Sequence, residues 1–270
     1  MIWSCVLQMK SDGFCIKHLN ILTLKNDVKF NIIWDYCPTV IWDIKMDIPL
    51  ENLEKEWEAI NNKWKLVSLE VYAFNNDVMC VFVMKRNDSR SLNLLKQNIY
   101  AVDNVDAHLL NCDACLQLGY TQKSQSTLKY GDKTILACIF EQHGDKRMQK
   151  VTGRQCERWT RMDVQHFTAN LQSIIEKKFR LVYIQFYGTG DNPEISAVWK
   201  KTSSMSNVFQ RHDVSKYGFL YELKSTMRSN RELTFISAYE NEGVVNFAAV
   251  WECCVRTNGG KRRKDFDTSL

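Results

Sequence analysis

Five short apolar runs recur along this chain of 270 residues, and each ends in a large side chain. These five anchor residues are Trp34, Met84, Phe140, Trp199 and Trp251, which lie at successive intervals of 50, 56, 59 and 52. A second run begins at Ile16, Leu66, Gln122, Leu181 and Leu233, always at the same distance before its anchor. Two features that recur together at one fixed separation indicate a tandem array of one supersecondary unit.

The fourth copy shows the content of the unit most clearly. Residues 181–187, LVYIQFY, alternate with the period of a β-strand, and residues 195–199 are apolar on both faces, as in an interior strand. Polar turn residues separate the two segments. Before them, Phe167, Leu171 and Ile174 form one apolar stripe at helical spacing, preceded by an aromatic linker at Trp159. Each unit therefore reads as linker, helix, strand, turn and strand.

These units predict an α+β fold in which five tandem helix-strand-strand repeats form a curved or ring-like antiparallel sheet with helices packed on one side. The copies occupy approximately residues 1–38, 39–88, 89–144, 145–203 and 204–256, as a single repeat domain. Residues 257–270 form a flexible basic tail. The first strand of the third copy carries Lys123, Gln125 and Thr127, so it should be the least buried of the five.

Helix starts are marked by Asp or Asn shortly after an aromatic residue. Four such residues, Asp47, Asn104, Asp163 and Asp213, precede a β-branched residue at the start of a helical pattern. A side-chain oxygen at this position can accept a hydrogen bond from a free N–H group in the first helical turn. We expect all four residues to be helix N-caps.

Charge and apolar content give little sign of a special environment. The net charge is +5, much of it in the run Lys261–Lys264, and gives no strong nucleic-acid signal. No segment approaches the ~18 consecutive apolar residues of a membrane span. The N-terminus does not resemble a secretory signal, which favours a cytoplasmic setting, or an extracellular one if the N-terminus is incomplete. Buried free thiols are accordingly expected for the ten cysteines.

The fourth and fifth copies resemble a known repeat. The segments WTRMDV to AVW (Trp159 to Trp199) and FQRHDV to AVW (Phe209 to Trp251) are similar to the tandem repeat in the N-terminal domain of fungal polyglycine hydrolases and in bacterial tandem-repeat proteins. In those hydrolases the catalytic serine belongs to a separate β-lactamase-like domain, for which this chain has no room. The resemblance implies a repeat scaffold and carries no catalysis across.

An apparent zinc half-site lies in the third copy, where His108, Cys112 and Cys115 are spaced H-x3-C-x2-C. In register, these residues fall where the fourth copy has Phe167, Leu171 and Ile174, on the core stripe. This register favours buried core residues over metal ligands, and no metal or other cofactor is predicted. Cys138, His143 and Cys156 are the nearby residues that could complete a zinc site.

Two further patterns suggest catalysis formally. Ser126 and Lys129 match the S-x-x-K of β-lactamase-like enzymes, but they lie on a predicted strand, where residues i and i+3 point to opposite faces. Adjacent Cys253 and Cys254 are expected to be unpaired or buried. No catalytic residue is predicted.

The leading hypothesis is a non-catalytic scaffold or binding module that recognises a protein or glycan through its turns. The longest turn supplies the candidate contact residues Gly188, Thr189, Gly190, Asp191 and Asn192. Thr268 and Leu270 fit a C-terminal peptide that adds a strand to a PDZ domain. The alternative is a hydrolase-type enzyme with a site formed between repeats.

Overall fold

A computed structural model describes residues 2–24, 27–87, 94–143, 156–188, 193–201, 208–241 and 243–253. These residues form five helices, which are α1 (Ile2–Ser11), α2 (Leu53–Glu58), α3 (Val105–Gln117), α4 (Val164–Glu176) and α5 (Lys216–Arg228). The fourteen strands are β1 (Phe14–Leu24), β2 (Asp27–Tyr36), β3 (Trp42–Pro49), β4 (Trp64–Phe74), β5 (Asp77–Arg86), β6 (Leu94–Val102), β7 (Tyr120–Tyr130), β8 (Lys133–His143), β9 (Cys156–Asp163), β10 (Phe179–Tyr187), β11 (Glu194–Lys201), β12 (Val208–Ser215), β13 (Arg231–Asn241) and β14 (Val244–Cys253). None of the helices described is long and apolar enough to cross a membrane.

The strands form small antiparallel sheets, and none of these sheets closes on itself. The first sheet is the hairpin β1–β2, and the second to fifth have the orders β3-β5-β4, β6-β8-β7, β9-β11-β10 and β12-β14-β13. The predicted single curved sheet is therefore replaced by several separate sheets in an α+β fold. The segments predicted as aromatic linkers are in fact strands β3, β6, β9 and β12, which pair with the second hairpin strand and make it the interior strand.

Cross-strand pairing explains why the second run always begins at the same distance before its anchor. In every hairpin the residue that begins this run pairs with the anchor, as Ile16 does with Trp34 and Leu181 with Trp199. Directly after that pair the register shifts by one residue in all five hairpins. Such a bulge bends the strand and increases its twist. The recurring pattern in the sequence thus marks a recurring bend in the backbone.

The anchors lie at the centre of the apolar core in the three-stranded sheets. Trp199 is fully buried, and Met84, Phe140 and Trp251 are buried as well. In three sheets an aromatic side chain of the strand before the helix packs on the anchor. The ring centroids are 5.7 Å apart for Tyr100 and Phe140, 5.1 Å for Trp159 and Trp199, and 5.4 Å for Phe209 and Trp251. We call the strand before the helix, which is β3, β6, β9 or β12, the third strand of its sheet, because it adds to the two strands of the hairpin. In these three sheets the third strand covers the anchor.

Neighbouring sheets meet through the first strands of their hairpins. In chain order, β1 contacts β4, β4 contacts β7, β7 contacts β10 and β10 contacts β13. Strand β13 also contacts β1. Here Lys17 Nζ lies 2.5 Å from a carboxylate oxygen of Glu232, and Nε2 of His18 lies 2.8 Å from the carbonyl oxygen of Ile236. The first and last sheets are thus in direct contact.

Two of the four predicted helix caps are confirmed. Asn104 accepts a hydrogen bond from the N–H of Ala107, and Asp163 accepts one from the N–H of His166, both at 2.7 Å. The prediction is wrong for Asp47 and Asp213, because β3 and β12 continue past them through a register shift.

Asp47 and Asp213 have another role at that register shift. Both adopt φ 56 and accept a hydrogen bond from a tyrosine hydroxyl, that of Tyr72 or Tyr239. Ser215, two residues after Asp213, caps α5 instead. Because the bulge extends each strand, the helix that follows begins later in the sequence than predicted.

One pair of cysteines is not free, contrary to the prediction of free thiols. Cys15 at the start of β1 and Cys37 just after β2 form a disulfide bond. The other cysteines within the described ranges are free, namely Cys5, Cys80, Cys112, Cys115, Cys138, Cys156 and Cys253. Cys5 is exposed, whereas Cys80, Cys112, Cys115 and Cys138 are buried.

Candidate functional site

The predicted contact residues fall mostly outside the part of the chain that the structure describes. Gly188 directly follows β10 and adopts φ +99, a conformation that favours glycine. Thr189, Gly190, Asp191 and Asn192 lie outside the described residues, as do Thr268 and Leu270. Their role in binding stays a prediction.

The apparent zinc half-site forms a buried cluster, as the helical register predicts. His108, Cys112 and Cys115 are all buried on the inner side of α3. The Tyr100 hydroxyl lies 3.3 Å from Nδ1 of His108 and 3.2 Å from Sγ of Cys112, and Cys138 Sγ lies 3.9 Å from the same imidazole nitrogen. Within the described ranges, no group of three or more His, Cys, Asp and Glu side chains is placed to hold a metal ion.

Burial also determines the protonation of this cluster. It lowers the pKa of His108 to about 4, with a further decrease from the nearby Arg158 guanidinium. Burial likewise raises the pKa of the Cys112 and Cys115 thiols, and it raises the pKa of Cys138 well above the usual value. A neutral imidazole beside protonated thiols lacks the thiolate that a cysteine nucleophile requires. The cluster is suited to packing and hydrogen bonding.

Ser126 lies on β7, as predicted, and is completely buried. Its hydroxyl is 3.0 Å from Oε2 of Glu70, to which it donates, and it accepts a hydrogen bond from the N–H of Val71 at 3.0 Å. Both partners belong to β4 of the neighbouring sheet. Ser126 therefore joins two sheets.

Ser126 is one of five polar residues at equivalent positions, which we call the polar belt. The belt consists of Asn20, Glu70, Ser126, Gln185 and Ser237, one on the first strand of each hairpin, and all five are buried. Their successive intervals of 50, 56, 59 and 52 are the same as those of the anchors. That periodicity marks the belt in the sequence, but a polar residue on a strand is more often exposed than buried, so it does not by itself indicate an interface.

Three belt residues make the same contact with a neighbouring hairpin. Each accepts a hydrogen bond from the backbone N–H that follows the belt position of the preceding sheet. Ser126 accepts from Val71 at 3.0 Å, Gln185 from Thr127 at 2.7 Å, and Asn20 from Ala238 at 3.0 Å. Because the first sheet uses the last as its neighbour, Asn20 joins the two ends of the described chain.

The other two belt positions differ. Burial raises the pKa of the Glu70 carboxyl well above its usual value, although hydrogen bonds from Ser126 and Ser68 oppose this effect. The Ser237 hydroxyl is buried and has no hydrogen-bond partner among the described residues. These two positions lack the side-chain-to-backbone contact made at the other three.

The first strand of the third hairpin illustrates the belt well. As predicted, β7 has the fewest buried residues of the five first strands, namely Gln125, Ser126 and Thr127. All three take part in hydrogen bonds to other sheets. Gln125 Nε2 lies 2.5 Å from the hydroxyl of Ser196, and the Thr127 N–H donates to Gln185. The polarity of this strand belongs to the interfaces on both of its sides.

Two surface clefts meet at Trp64, at the start of β4. The first has a volume of about 310 Å³ and is lined by Phe14, Trp42 and Trp64 together with Lys10 and Asp43. The second has a volume of about 300 Å³. Trp57 and Trp64 line it beside polar side chains that include Asn61, Asn87 and Lys96. Trp42 and Trp57 are buried, so the accessible indole of both clefts is that of the half-buried Trp64. An indole next to amide and ammonium donors suits a ligand that has both apolar faces and hydroxyl groups, such as a sugar.

Comparison with known families identifies one segment of the chain. Residues 210–252 match the family model described as polyglycine hydrolase-like, structural repeat. The segment runs from β12 to β14 and so contains one helix with its hairpin. No curated protein matches the chain. The match confirms the resemblance to that repeat and suggests a repeat scaffold.

Proposed function

We propose that this protein is a non-catalytic scaffold of five tandem units that closes into a ring and binds a protein or glycan on its surface. The observation that carries the proposal is the hydrogen bond from the Ala238 N–H to Asn20, which joins the last hairpin to the first. It repeats the contact that Ser126 and Gln185 make with their own preceding sheets. One type of contact at the ends and in the interior is what a closed array of copies requires.

The state of the reactive side chains supports a role without catalysis. His18 is half-buried and His108 is fully buried, and desolvation lowers the pKa of both to about 4. Burial raises the pKa of the Cys80 thiol to about 12. A general base functions best with a pKa near the operating pH, and a cysteine nucleophile needs its thiolate. These side chains are therefore suited to packing and hydrogen bonding within the scaffold.

Binding is proposed at the surface, through the turns and the clefts beside Trp64. Loops on a rigid framework are common sites of recognition, because they can vary without disturbing the core. The partly exposed indole of Trp64, with neighbouring amide and ammonium groups, favours a glycan as the ligand of the clefts.

A glycan array probed with the whole purified chain tests this binding. We expect binding to defined oligosaccharides that is lost in Trp64→Ala and retained in Trp3→Ala, since Trp3 is an exposed tryptophan of α1 that does not line either cleft. Equal binding by both variants would remove the clefts from the proposal.

Activity-based probes separate the scaffold from a hydrolase. A serine-directed probe should not label the native protein. A cysteine-directed probe should label the partly buried free thiols Cys156 and Cys253 of native Cys5→Ala protein no faster than it labels free cysteine, and should reach the buried cysteines only after denaturation. Specific labelling of the native protein that one substitution abolishes would support the hydrolase and contradict the scaffold.

A further inference from the structure

The second strand of the first hairpin has an open edge. In the other four sheets the second hairpin strand lies between two strands, whereas β2 pairs only with β1 among the described residues. Ile33 is the one buried residue of β2, while β5, β8, β11 and β14 each contain four or more. An open strand edge presents unpaired backbone groups and is a template for another strand.

The anchor of this hairpin is also poorly covered. Trp34 is only partly buried, unlike the four other anchors. In the third to fifth sheets, an aromatic residue of the third strand packs on the anchor. The first sheet lacks such a strand in the described ranges, and the ring nearest to Trp34 is that of Trp42 of the second sheet, 6.1 Å away. One strand with one aromatic residue would complete the sheet.

We propose that residues 261–270 of this same chain occupy the open edge, pairing antiparallel with β2 and placing Phe266 on Trp34. These residues lie outside the described ranges. The proposal concerns the first sheet alone and holds whether or not the scaffold binds a glycan.

The length of the chain after β14 suits this position. Elsewhere the chain passes from a second hairpin strand to the third strand of the next sheet through short connections, at 37–41, 87–93, 144–155 and 202–207. Strand β14 ends at Cys253, so that 254–270 follow it. A connection at 254–260, as long as the one at 87–93, leaves 261–270 for a strand. Because β13 contacts both β1 and β2, the chain leaves the fifth sheet beside the first.

The sequence of this segment carries an aromatic residue at a suitable distance from the last anchor. The aromatic residue of each third strand comes soon after the previous anchor. The separation is smallest where Trp42 follows Trp34 and largest where Trp159 follows Phe140. Phe266 is the only aromatic residue in 254–270, and its separation from Trp251 lies between these two extremes.

The registers of the other sheets place Phe266 beside Trp34. In the third and fourth sheets the aromatic residue pairs with the residue two positions before the anchor, as Trp159 does with Ala197. In the fifth sheet Phe209 pairs with the anchor itself. Either register puts Phe266 on the face of β2 that carries Trp34, because residues two positions apart on a strand share a face.

Hydrogen exchange of β2 in the whole chain tests the proposal. We expect the β2 amides to exchange about tenfold faster or more when residues 261–270 are deleted, because the edge then opens locally. Phe266→Ala should accelerate exchange in the same peptide. Asn258→Ala, in the connecting segment, is the matched control and should leave it unchanged. The β10–β11 hairpin should exchange equally in every variant, which shows that the rest of the protein stays folded.

Adding the deleted segment back as a peptide distinguishes a direct contact with β2 from an indirect effect of the deletion. A synthetic peptide of residues 257–270 added to the truncated chain should restore β2 protection, and a scrambled peptide should not. Equal β2 exchange with and without residues 261–270 would overturn the proposal. Protection that depends on protein concentration and coincides with dimers in light scattering would overturn it too, because the segment would then bind a second copy. Release of the C-terminus to a PDZ domain at no cost in β2 protection would also contradict it.

Discussion

The first and fourth sheets share the same hairpin, with the same anchor pair and the same bulge, but differ in what covers the anchor. Trp199 of the fourth sheet lies under Trp159 and Phe167 and has no exposed surface. Trp34 of the first sheet remains partly exposed. The hairpin alone therefore fixes the path of the backbone, while the third strand completes the core. The first sheet has a disulfide bond between Cys15 and Cys37 where the fourth has none.

The largest expected difference between the first and fourth sheets is in the free energy of unfolding that is lost when their anchors are removed. We expect Trp199→Ala to lower the free energy of unfolding by about 3–5 kcal/mol, as for a fully buried large side chain. In a chain without residues 261–270, Trp34→Ala should lower it by about half as much, because the indole then contacts solvent. Denaturant unfolding of both variants measures the difference. Equal losses would mean that Trp34 is as well covered in solution as Trp199.

Loss of the disulfide should affect the first sheet more than the fourth. The double variant Cys15→Ala/Cys37→Ala should lower the free energy of unfolding by about 2–4 kcal/mol, because the cross-link restricts the unfolded chain. Cys5→Ala, which removes an exposed free thiol, should change it by less than about 0.5 kcal/mol. Hydrogen exchange should locate the effect in β1 and β2. A comparable acceleration in β10 and β11 would contradict this assignment.

Equivalent belt positions should then show which sheets depend on the side-chain-to-backbone contact. Asn20→Ala and Gln185→Ala should each lower the free energy of unfolding by about 1–2 kcal/mol, because each leaves a buried N–H group without its acceptor. Ser237→Ala, at the same position of the fifth sheet, should be neutral or stabilising, since its hydroxyl has no partner among the described residues. If all three variants lose the same free energy, the hydrogen bonds are not the cause.

The smallest expected effect, at a mildly acidic pH, comes from a histidine of the first sheet. Burial lowers the pKa of His18 to about 4, while its hydrogen bond to Ile236 opposes this shift and the charge of Lys17 adds to it. The fold thus favours the neutral imidazole. Above about pH 6.5, the ordinary pKa of histidine in an unfolded chain, His18 is neutral in both states and does not lower the free energy of unfolding. As the pH falls from there to about 4, the unfolded chain binds a proton that the folded protein does not bind, so the free energy of unfolding decreases.

His18→Gln should make the stability less sensitive to acid over this range. The fourth sheet has Tyr183 at the same position, and burial raises the pKa of that phenol, so it does not titrate in acid. Denaturant unfolding between pH 7 and pH 4 gives the two slopes, and His108 accounts for part of the slope that remains. Identical slopes in the parent and in His18→Gln would show that His18 does not contribute.

Much of the hairpin architecture follows from sequence, because large apolar residues at fixed spacing allow few pairings. The interior position of β5, β8, β11 and β14 was predicted from their two apolar faces and is confirmed. The third strands were missed, since an edge strand such as β9, CERWTRMD, carries charges between its apolar residues and resembles a linker. The caps at Asp47 and Asp213 were wrong for a related reason, because a bulge extends each strand.

The interfaces between sheets were the hardest part to predict. Gln125 and Thr127 are polar, and on a single strand polarity indicates exposure. They are buried because edge strands of two separate sheets meet there, and their backbone groups require hydrogen-bond partners. The burial of these two residues can be inferred only when the positions of the neighbouring hairpins are known. The candidate binding residues 189–192 and the C-terminal residues Thr268 and Leu270 stay predictions.

The belt contact has a direction, since one hairpin supplies the side-chain acceptor and its neighbour supplies the backbone donor. The two surfaces that meet are different, so a series of such contacts ends only where its last surface finds its first. In the proposed ring that place is the pair of Asn20 and Ala238. If the pair separated, one end would expose an acceptor and the other a donor. Two opened molecules would then fit end to end, so the seam between β1 and β13 is also where the protein could exchange hairpins or polymerise.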